Sequence, residues 1–181
     1  MTENTNPLQK YYRQPQIYIK LPSGGRYYSP DVFTPTENGE IPILPMTAKD
    51  ELAFKTPDAL ISGQATVDVI KSCVPNLKDP WQMVNFDTDT ILLAIRIASY
   101  GETMNIDYQV PVVKESVSTT LNLPALLEDL SRVQLKDSCT TKAGFMIKIA
   151  PLRYNQLTKI IIAQYEQQRV YASAVASSVN E

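Results

Sequence analysis

The sequence predicts an α+β protein, and three patterns support that fold class. Seven prolines lie between Pro7 and Pro45, and each fixes φ and removes a backbone donor, so this stretch is predicted to be extended. Residues 91–98 are apolar except for Arg96, as expected of a helix that is enclosed on most sides. Residues 104–110 alternate between apolar and polar side chains, which is typical of a half-buried strand.

The first segment, residues 1–45, is predicted to form an extended, proline-rich arm that carries a β-hairpin. Residues 16–21 alternate like a strand, residues 22–25 supply a turn, and residues 26–28 are expected to return as the second strand. The arm therefore begins with one hairpin.

A second short strand pair is expected further along the arm. Residues 31–33 and 40–44 would form its strands, with the reversal at residues 37–39. The Asn-Gly step in that reversal favours the positive φ that tight turns require.

The second segment, residues 46–101, is predicted to be helical. A hydroxyl or carboxyl group precedes acidic residues or a proline at most of its expected helix starts. These starts lie at or near Thr47, Thr56, Thr66, Asp79 and Asp87. The last helix is expected to run to Tyr100 and to stop at Gly101.

The third segment, residues 102–150, is predicted to be a small antiparallel β region with one short helix. Two strands are expected within residues 103–121, the helix over about residues 124–133, and a third strand over residues 144–150.

The last segment, residues 151–181, is predicted to contain one long helix over about residues 155–175. One side of this helix is an apolar stripe and the other side is polar. The stripe comprises Leu157, Ile160, Ile161, Tyr165, Ala172 and Val175, and the polar side Gln164, Glu166, Gln167, Gln168 and Arg169.

The composition argues against catalysis and against nucleic-acid binding. Histidine is absent, which removes the commonest general base and the commonest metal ligand. Lys+Arg number 17 and Asp+Glu 19, a formal net charge of −2, whereas nucleic-acid binders usually carry a basic excess. We therefore expect a protein that is not an enzyme, with no catalytic residues, no cofactor, no metal, no small-molecule substrate and no nucleic-acid partner.

The sequence also gives expectations about location. No stretch approaches the ~18 apolar residues that a membrane span needs, and the polar N-terminus lacks the apolar core of a secretory signal. Nothing requires a disulfide between Cys73 and Cys139, so free thiols in a reducing cytoplasm are expected. Cys73, near a predicted helix end, is expected to be a small buried hydrophobic residue.

Two features have both a functional and a structural interpretation. Asp87 and Asp89 would bind a divalent ion only if further oxygens converged on it, and no such spacing is evident, so N-terminal capping of a helix is favoured. Trp81 follows a predicted helix start. A packing anchor is favoured for it, with an interface hot spot as the alternative.

Several blocks of sequence, in this order, resemble a known family. They are residues 21–28 (LPSGGRYY), 45–51 (PMTAKDE), 55–63 (KTPDALISG), 87–101 (DTDTILLAIRIASYG), 152–154 (LRY) and 164–169 (QYEQQR). The pattern is similar to the baseplate hub and hub-assembly proteins of T-even-like contractile-tailed bacteriophages (myoviruses). The resemblance extends over residues 16–170.

This resemblance implies a structural or assembly subunit of the tail baseplate hub, a late phage protein that contacts other baseplate and tail proteins. It would be found in the virion tail and, during assembly, in the host cytoplasm. The alternative is a transient hub-assembly chaperone that is absent from the mature virion. Tyrosine suits such contacts because its ring buries a large area while its hydroxyl stays satisfied. The interface residues expected on this basis are Tyr11, Tyr12, Tyr18, Tyr27, Tyr28, Trp81, Tyr165 and Arg169.

The resemblance has one departure, in the β region. Members of that family often carry a Cys-Pro-x-Cys knuckle and a second cysteine pair there, whereas the matching stretch here is Val110-Pro111-Val112-Val113. Valines stand in place of both sulfurs. The β region therefore resembles a zinc knuckle without metal, and apolar packing is expected to replace thiolate ligation.

Overall fold

The computed structural model describes residues 12–109, 116–133 and 136–178, without the side chains of residues 176–178. Within these ranges the chain forms three two-stranded antiparallel sheets and six α-helices, in agreement with the predicted α+β class. The element order is β1 (Ile17–Lys20), β2 (Glu40–Ile43), α1 (Ala48–Phe54), α2 (Pro57–Ile61), α3 (Gln64–Cys73), a 3-10 turn (Pro80–Gln82), α4 (Asn85–Tyr100), β3 (Thr103–Gln109), β4 (Ser116–Asn122), α5 (Leu123–Ser131), β5 (Ser138–Thr140), β6 (Met146–Lys148) and α6 (Tyr154–Ser178).

The first sheet pairs β1 with β2 and corrects both predicted hairpins. Ile17 lies opposite Ile43 and Ile19 opposite Ile41, so β2 is not available to residues 31–33. The predicted return strand at residues 26–28 is wrong, because residues 22–27 form successive turns instead.

The predicted second pair of strands is also wrong. Within residues 31–33, only Phe33 forms a β-bridge, and its partner is Leu77. Gly39 does have the expected positive φ, 69°. The positive φ at Gly39 was therefore predicted correctly. The strand that pairs with residues 40–43 was not, since it is β1.

The core lies between the first sheet and helices α3 and α4. Ile41 and Ile43 of β2, Ile70 of α3 and Ile91 of α4 are fully buried, and Ile95 is 2% exposed. Fully burying a side chain of this size stabilises the fold by about 1.5–3 kcal/mol. Because β1 and β2 supply core residues, residues 17–43 pack into the body instead of standing apart from it as an arm.

Several predicted helix ends are confirmed, and two helix starts move, one of them that of α4, which begins at Asn85 instead of Asp87. The Thr47 hydroxyl accepts the Asp50 N–H at 3.3 Å, and the Asp50 carboxylate accepts the Thr47 N–H at 2.8 Å, which is a capping box. Gly101 ends α4 with φ 91°. The start predicted at Thr66 lies at Gln64, after Gly63 with φ 75°.

The β region consists of two separate hairpins. In the first, Thr103 lies opposite Asn122, and the Asn122 side chain then caps α5 by accepting the Ala125 N–H at 3.0 Å. In the second, the strand predicted within residues 144–150 pairs with Ser138–Thr140. The knuckle-like stretch Val110-Pro111-Val112-Val113 lies outside the described residues.

Helix α6 is held at its base and exposed further along. The Asn85 N–H donates to the Leu152 carbonyl at 3.0 Å, and the Tyr154 N–H donates to the Met83 carbonyl at 2.7 Å. From residue 163 to residue 175 every side chain is exposed. A search of the described helices finds none that is both long and apolar enough to cross a membrane.

Candidate functional site

The glycine turn after β1 is joined to the start of α4 by a buried carboxylate. Asp87 accepts the Ser23 N–H at 3.0 Å, the Tyr28 O–H at 2.5 Å and the Ser23 O–H. The Tyr28 hydroxyl oxygen in turn accepts the Val84 N–H at 3.1 Å. We call these four residues, Ser23, Tyr28, Val84 and Asp87, the Asp87 junction.

Burial sets the electrostatics of the Asp87 junction. The Asp87 side chain is fully buried; burial raises the pKa of its carboxyl group, and the hydrogen bonds from Ser23 and Tyr28 oppose this rise without cancelling it. Burial and the neighbouring Asp87 also raise the pKa of the Tyr28 phenol. Tyr28 is therefore a protonated hydrogen-bond donor at every physiological pH.

The predicted capping role of Asp87 and Asp89 is wrong. Helix α4 begins at Asn85, and the Asp87 carboxylate bonds to the glycine turn instead of to the first amides of its own helix. Asp89 is exposed and accepts the Asn85 side-chain amide at 3.3 Å. Sequence periodicity placed both residues near a helix start. It could not predict that Asp87 bonds to Ser23, because that partner lies 64 residues away in the sequence.

The Asp87 junction has the geometry of a structural tie. The Ser23 hydroxyl donates to Asp87 and accepts the Gly25 N–H at 3.0 Å, so both of its hydrogen-bonding roles are occupied. Ser23 is 1% exposed, which leaves its oxygen no access to a substrate. The arrangement holds the glycine turn against α4.

The outer side of the same turn binds two later elements. Arg26 lies 3.5 Å from the Asp137 carboxylate, which also accepts the Tyr27 hydroxyl. Arg153, at the base of α6, donates to the Tyr27 carbonyl at 3.5 Å and to the Gln82 carbonyl at 2.9 Å. Blocks 21–28, 87–101 and 152–154, which carry the family resemblance, therefore meet here.

A second polar cluster ties the chain before β1 to helices α1 and α3. Arg13 donates to the Pro45 carbonyl at 2.9 Å, to Asp50 at 3.3 Å, and to the carbonyl and hydroxyl oxygens of Ser72. Burial by itself raises the pKa of Asp50, but hydrogen bonds from Thr47 and Ser72 and the charge of Arg13 outweigh it. The pKa of Asp50 therefore lies below its ordinary value. Sequence analysis missed both Arg13 and Asp50 as partners.

No metal site is indicated among the side chains that the structure describes, where no three His, Cys, Asp or Glu residues converge suitably. The zinc-free β region remains a prediction, since part of it lies outside the described residues. Elemental analysis of the purified chain checks it, and stoichiometric zinc would contradict it.

The structure distributes the predicted interface residues over several places. Tyr12, Tyr18 and Tyr165 are 57%, 62% and 50% exposed, and Arg169 is exposed as well. Tyr18 lines a cleft beside α5, whereas Tyr165 and Arg169 line one beside α2. Tyr11 lies outside the described residues.

The other three are half-buried and make contacts within the chain. The Tyr28 hydroxyl belongs to the Asp87 junction, and the Tyr27 ring packs edge-on against Phe86 with centroids 6.4 Å apart. Trp81 packs against Tyr154 with centroids 5.7 Å apart, which favours the packing-anchor interpretation. Their use in an interface stays a prediction.

A different apolar surface was missed by sequence analysis. Phe145 and Met146 are 71% and 72% exposed, and Ile147 and Ile149 are 48% and 49% exposed. We call these four residues the hairpin patch. The alternation of Phe145, Ile147 and Ile149 correctly predicted a strand, but alternation alone does not show whether the apolar face meets a core.

Comparison with known proteins places the whole arrangement in one family. The model of the family described as T4 bacteriophage base plate protein matches residues 14–180. Neither a curated protein nor a solved structure matches the chain. Since the family match covers almost the whole chain, including the Asp87 junction, the hairpin patch and all of α6, the chain belongs to the T4 bacteriophage base plate protein family.

Proposed function

We propose that this chain is a structural subunit of the baseplate hub and that it works through contacts with other tail proteins. The baseplate part of this proposal rests on family membership. The observation that carries the contact role is the hairpin patch, whose Phe145 and Met146 are more than two-thirds exposed. Phe145, Ile147 and Ile149 alternate along the chain and so lie towards one face of the hairpin, with Met146 towards the other; exposed apolar side chains grouped in this way mark interaction surfaces in soluble proteins.

The geometry of the hairpin supports this role. Strands β5 and β6 are three residues each and pair only with each other among the described residues. An isolated two-stranded hairpin is marginally stable in water. A neighbouring subunit that covered the patch would bury the apolar side chains and stabilise the hairpin together.

The polar clusters support a non-enzymatic role. The Asp87 and Asp50 carboxylates are 0% and 7% exposed, and both are occupied by hydrogen bonds from within the chain. Both carboxylates therefore serve to join segments that are distant in sequence. We therefore infer that the chain contributes binding surfaces to the hub and no catalytic step.

A pair of variants tests the contact role. The double variant Phe145→Ser, Met146→Ser removes the two most exposed apolar side chains of the hairpin patch. The control, Lys142→Ser, changes an exposed polar residue in the same hairpin. We expect both proteins to fold, because surface substitutions usually change stability by less than about 0.5 kcal/mol. In a phage lacking the wild-type chain, the double variant should fail to build tails and Lys142→Ser should restore them. Normal tails with the double variant would contradict the proposal.

The alternative role is a transient hub-assembly chaperone. Mass spectrometry of purified particles separates the two roles, because a subunit remains in the mature tail and a chaperone leaves it. A stoichiometric amount of the chain in mature tails is expected. Its absence from them, with presence in assembly intermediates, would replace the subunit by the chaperone.

A further inference from the structure

The hairpin formed by β5 and β6 is positively charged, although the chain as a whole is negative. Residues 136–150 contain three lysines, Lys136, Lys142 and Lys148, and one aspartate, Asp137, whereas the formal net charge of the whole chain is −2. All three lysines are exposed. The apolar side chains of the hairpin patch are therefore interspersed with cations.

The acidic side chain of this hairpin is already paired. The Asp137 carboxylate lies 3.5 Å from the Arg26 guanidinium and accepts the Tyr27 hydroxyl. None of the salt bridges within residues 12–109, 116–133 and 136–178 involves one of the three hairpin lysines. The described fold therefore leaves the positive charge of the hairpin to be matched from outside.

The lysines and the apolar side chains belong to one surface. Lys148 stands between Ile147 and Ile149 in β6 and directly opposite Ser138 of β5. The Thr141 N–H donates to the Phe145 carbonyl at 2.9 Å, so Lys142 lies in the same chain reversal as Phe145. A protein that covers Phe145 must therefore come close to Lys142.

We propose that the hairpin patch docks on an acidic surface of another baseplate protein, namely an apolar depression with aspartate or glutamate side chains on its rim. This inference rests on the proposed function, because it names the chemistry of the partner at the same patch. Burial of the apolar side chains supplies affinity. Carboxylates opposite the lysines speed the encounter and fix its orientation, and a basic rim would be repelled.

The same charge disfavours a second copy of the hairpin in this position. Two hairpins that faced each other would bring their lysines together, and the one acidic side chain of each is held by Arg26. Like charges set against each other across an interface are strongly unfavourable.

An anionic lipid surface would match the lysines but not the arrangement of the apolar side chains. Phe145, Ile147 and Ile149 lie towards one face of the hairpin and Met146 towards the other. A segment that lies in a membrane interface presents its apolar side chains on one face. A depression in a protein can enclose both faces, which favours a protein as the partner.

A zero-length carbodiimide cross-linker tests the contact directly. The reagent joins a lysine amine to a carboxylate that touches it, and the product is an amide formed with loss of water. Tails and tail-assembly intermediates are treated, digested and examined by mass spectrometry. We expect Lys142 and Lys148 to be joined to aspartate or glutamate residues of another tail protein.

The matched control is the double variant Lys142→Arg, Lys148→Arg. Arginine keeps the positive charge, but its guanidinium does not couple under these conditions. Tails should therefore form normally while the cross-links from these two positions disappear. Particles in which other lysines of this chain are coupled, but Lys142 and Lys148 are joined to no other protein, would overturn the proposal.

Charge reversal tests the effect on assembly. In a phage lacking the wild-type chain, Lys142→Glu with Lys148→Glu should lower the yield of complete tails at least about tenfold, because it sets carboxylates against carboxylates. The double arginine variant should stay within about twofold of the wild type. Reversal is used because loss of a single rim charge, as in Lys142→Ser, changes affinity little. Thermal unfolding of the purified variants confirms that both are folded.

The outcomes separate this inference from the proposed function. If the double serine variant of Phe145 and Met146 blocks tail formation and the double glutamate variant does not, the apolar contact stands and the acidic partner is overturned. If both variants build normal tails, the contact role falls as well.

The lipid alternative is measured with vesicles of phosphatidylglycerol and phosphatidylcholine. The wild-type chain should stay in solution when the vesicles are sedimented. Co-sedimentation that the double glutamate variant loses, without cross-links to a tail protein, would replace the acidic protein by an anionic lipid surface and so overturn the proposal.

Discussion

The first hundred residues and the remainder of the chain use their apolar side chains in opposite ways. Up to Ile95, apolar residues from the first sheet, α3 and α4 form one buried cluster. Beyond Tyr100, the described part of the chain has a single buried hydrophobic residue, Leu123. The later region exposes Phe145, Met146 and much of α6 instead. The buried apolar side chains therefore lie mainly in the first region, and the exposed ones mainly in the second.

The largest effect expected from this contrast is at Ile95, which is 2% exposed in α4. Ile95→Asp buries an unpaired charge and should abolish folding, since such burial costs several kcal/mol. The matched change Ile147→Asp, at a residue 48% exposed, should cost less than about 0.5 kcal/mol. Soluble yield and thermal unfolding measure both. A folded, soluble Ile95→Asp protein would refute the enclosure of α4.

A smaller but still large effect is expected at Asp87. Asp87→Ala leaves Ser23 and Tyr28 without their buried acceptor, which should lower the free energy of unfolding by about 3 kcal/mol. The control is Asp107→Ala, which removes an exposed carboxylate that accepts the Ser118 hydroxyl at 2.5 Å and should cost less than about 1 kcal/mol. Denaturant unfolding of the two variants measures the difference. Equal losses would show that burial does not distinguish the two regions.

The two buried aspartates should respond to pH in opposite directions. The folded-state pKa of Asp87 lies above the ordinary 3.8, so its contribution to stability is fully present below that value and falls as pH rises through the folded-state pKa. The folded-state pKa of Asp50 lies below 3.8. Its contribution is fully present above 3.8 and is lost as pH falls through the folded-state pKa.

Unfolding free energies measured from pH 2 to pH 8 should show these opposite slopes. The difference between the wild type and Asp87→Asn should shrink with rising pH, and the difference between the wild type and Asp50→Asn should grow. Slopes of the same sign would mean that one of the two carboxyl environments is assigned incorrectly.

The smallest effect concerns the two thiols, one in each region. Cys73 is fully buried, and burial raises its pKa to about 11, whereas Cys139 is exposed. A thiol-specific disulfide reagent should therefore modify one cysteine per native chain and two after unfolding. Cys139→Ser should remove the native reaction and leave the fold unchanged. Rapid native modification of Cys73 would show that the core opens readily.

Local patterns in the sequence predicted most elements because those patterns arise from neighbouring residues. The apolar run in α4, the helix starts marked by a proline in their first turn and the alternation in β3 needed no distant partner to be recognised. The pairing of β1 was missed because its competitor, residues 26–28, is drawn into turns by Gly24 and Gly25, which both have positive φ, and by the distant Asp87. Sequence spacing carries no information about a hydrogen bond between residues 64 positions apart.

The candidate surfaces were predictable only in part for a related reason. The sequence around a tyrosine such as Tyr28 does not show whether its hydroxyl points to solvent or into a buried hydrogen-bond network. The hairpin patch has the alternation of an ordinary buried strand, and only the absence of a covering element in the described fold distinguishes it. Exposure is a property of the tertiary arrangement, so it appears once all the elements are placed.

The backbone pairing between Val84 and Arg153 joins the start of the central helix to the base of α6. The amide of Asn85, in the first turn of α4, donates to the carbonyl of Leu152, and thereby satisfies one of the N–H groups that a helix leaves without a partner at its start. A chain that ended before residue 152 would keep every residue of the buried cluster, which runs from Ile19 to Ile95, and would leave that amide to water.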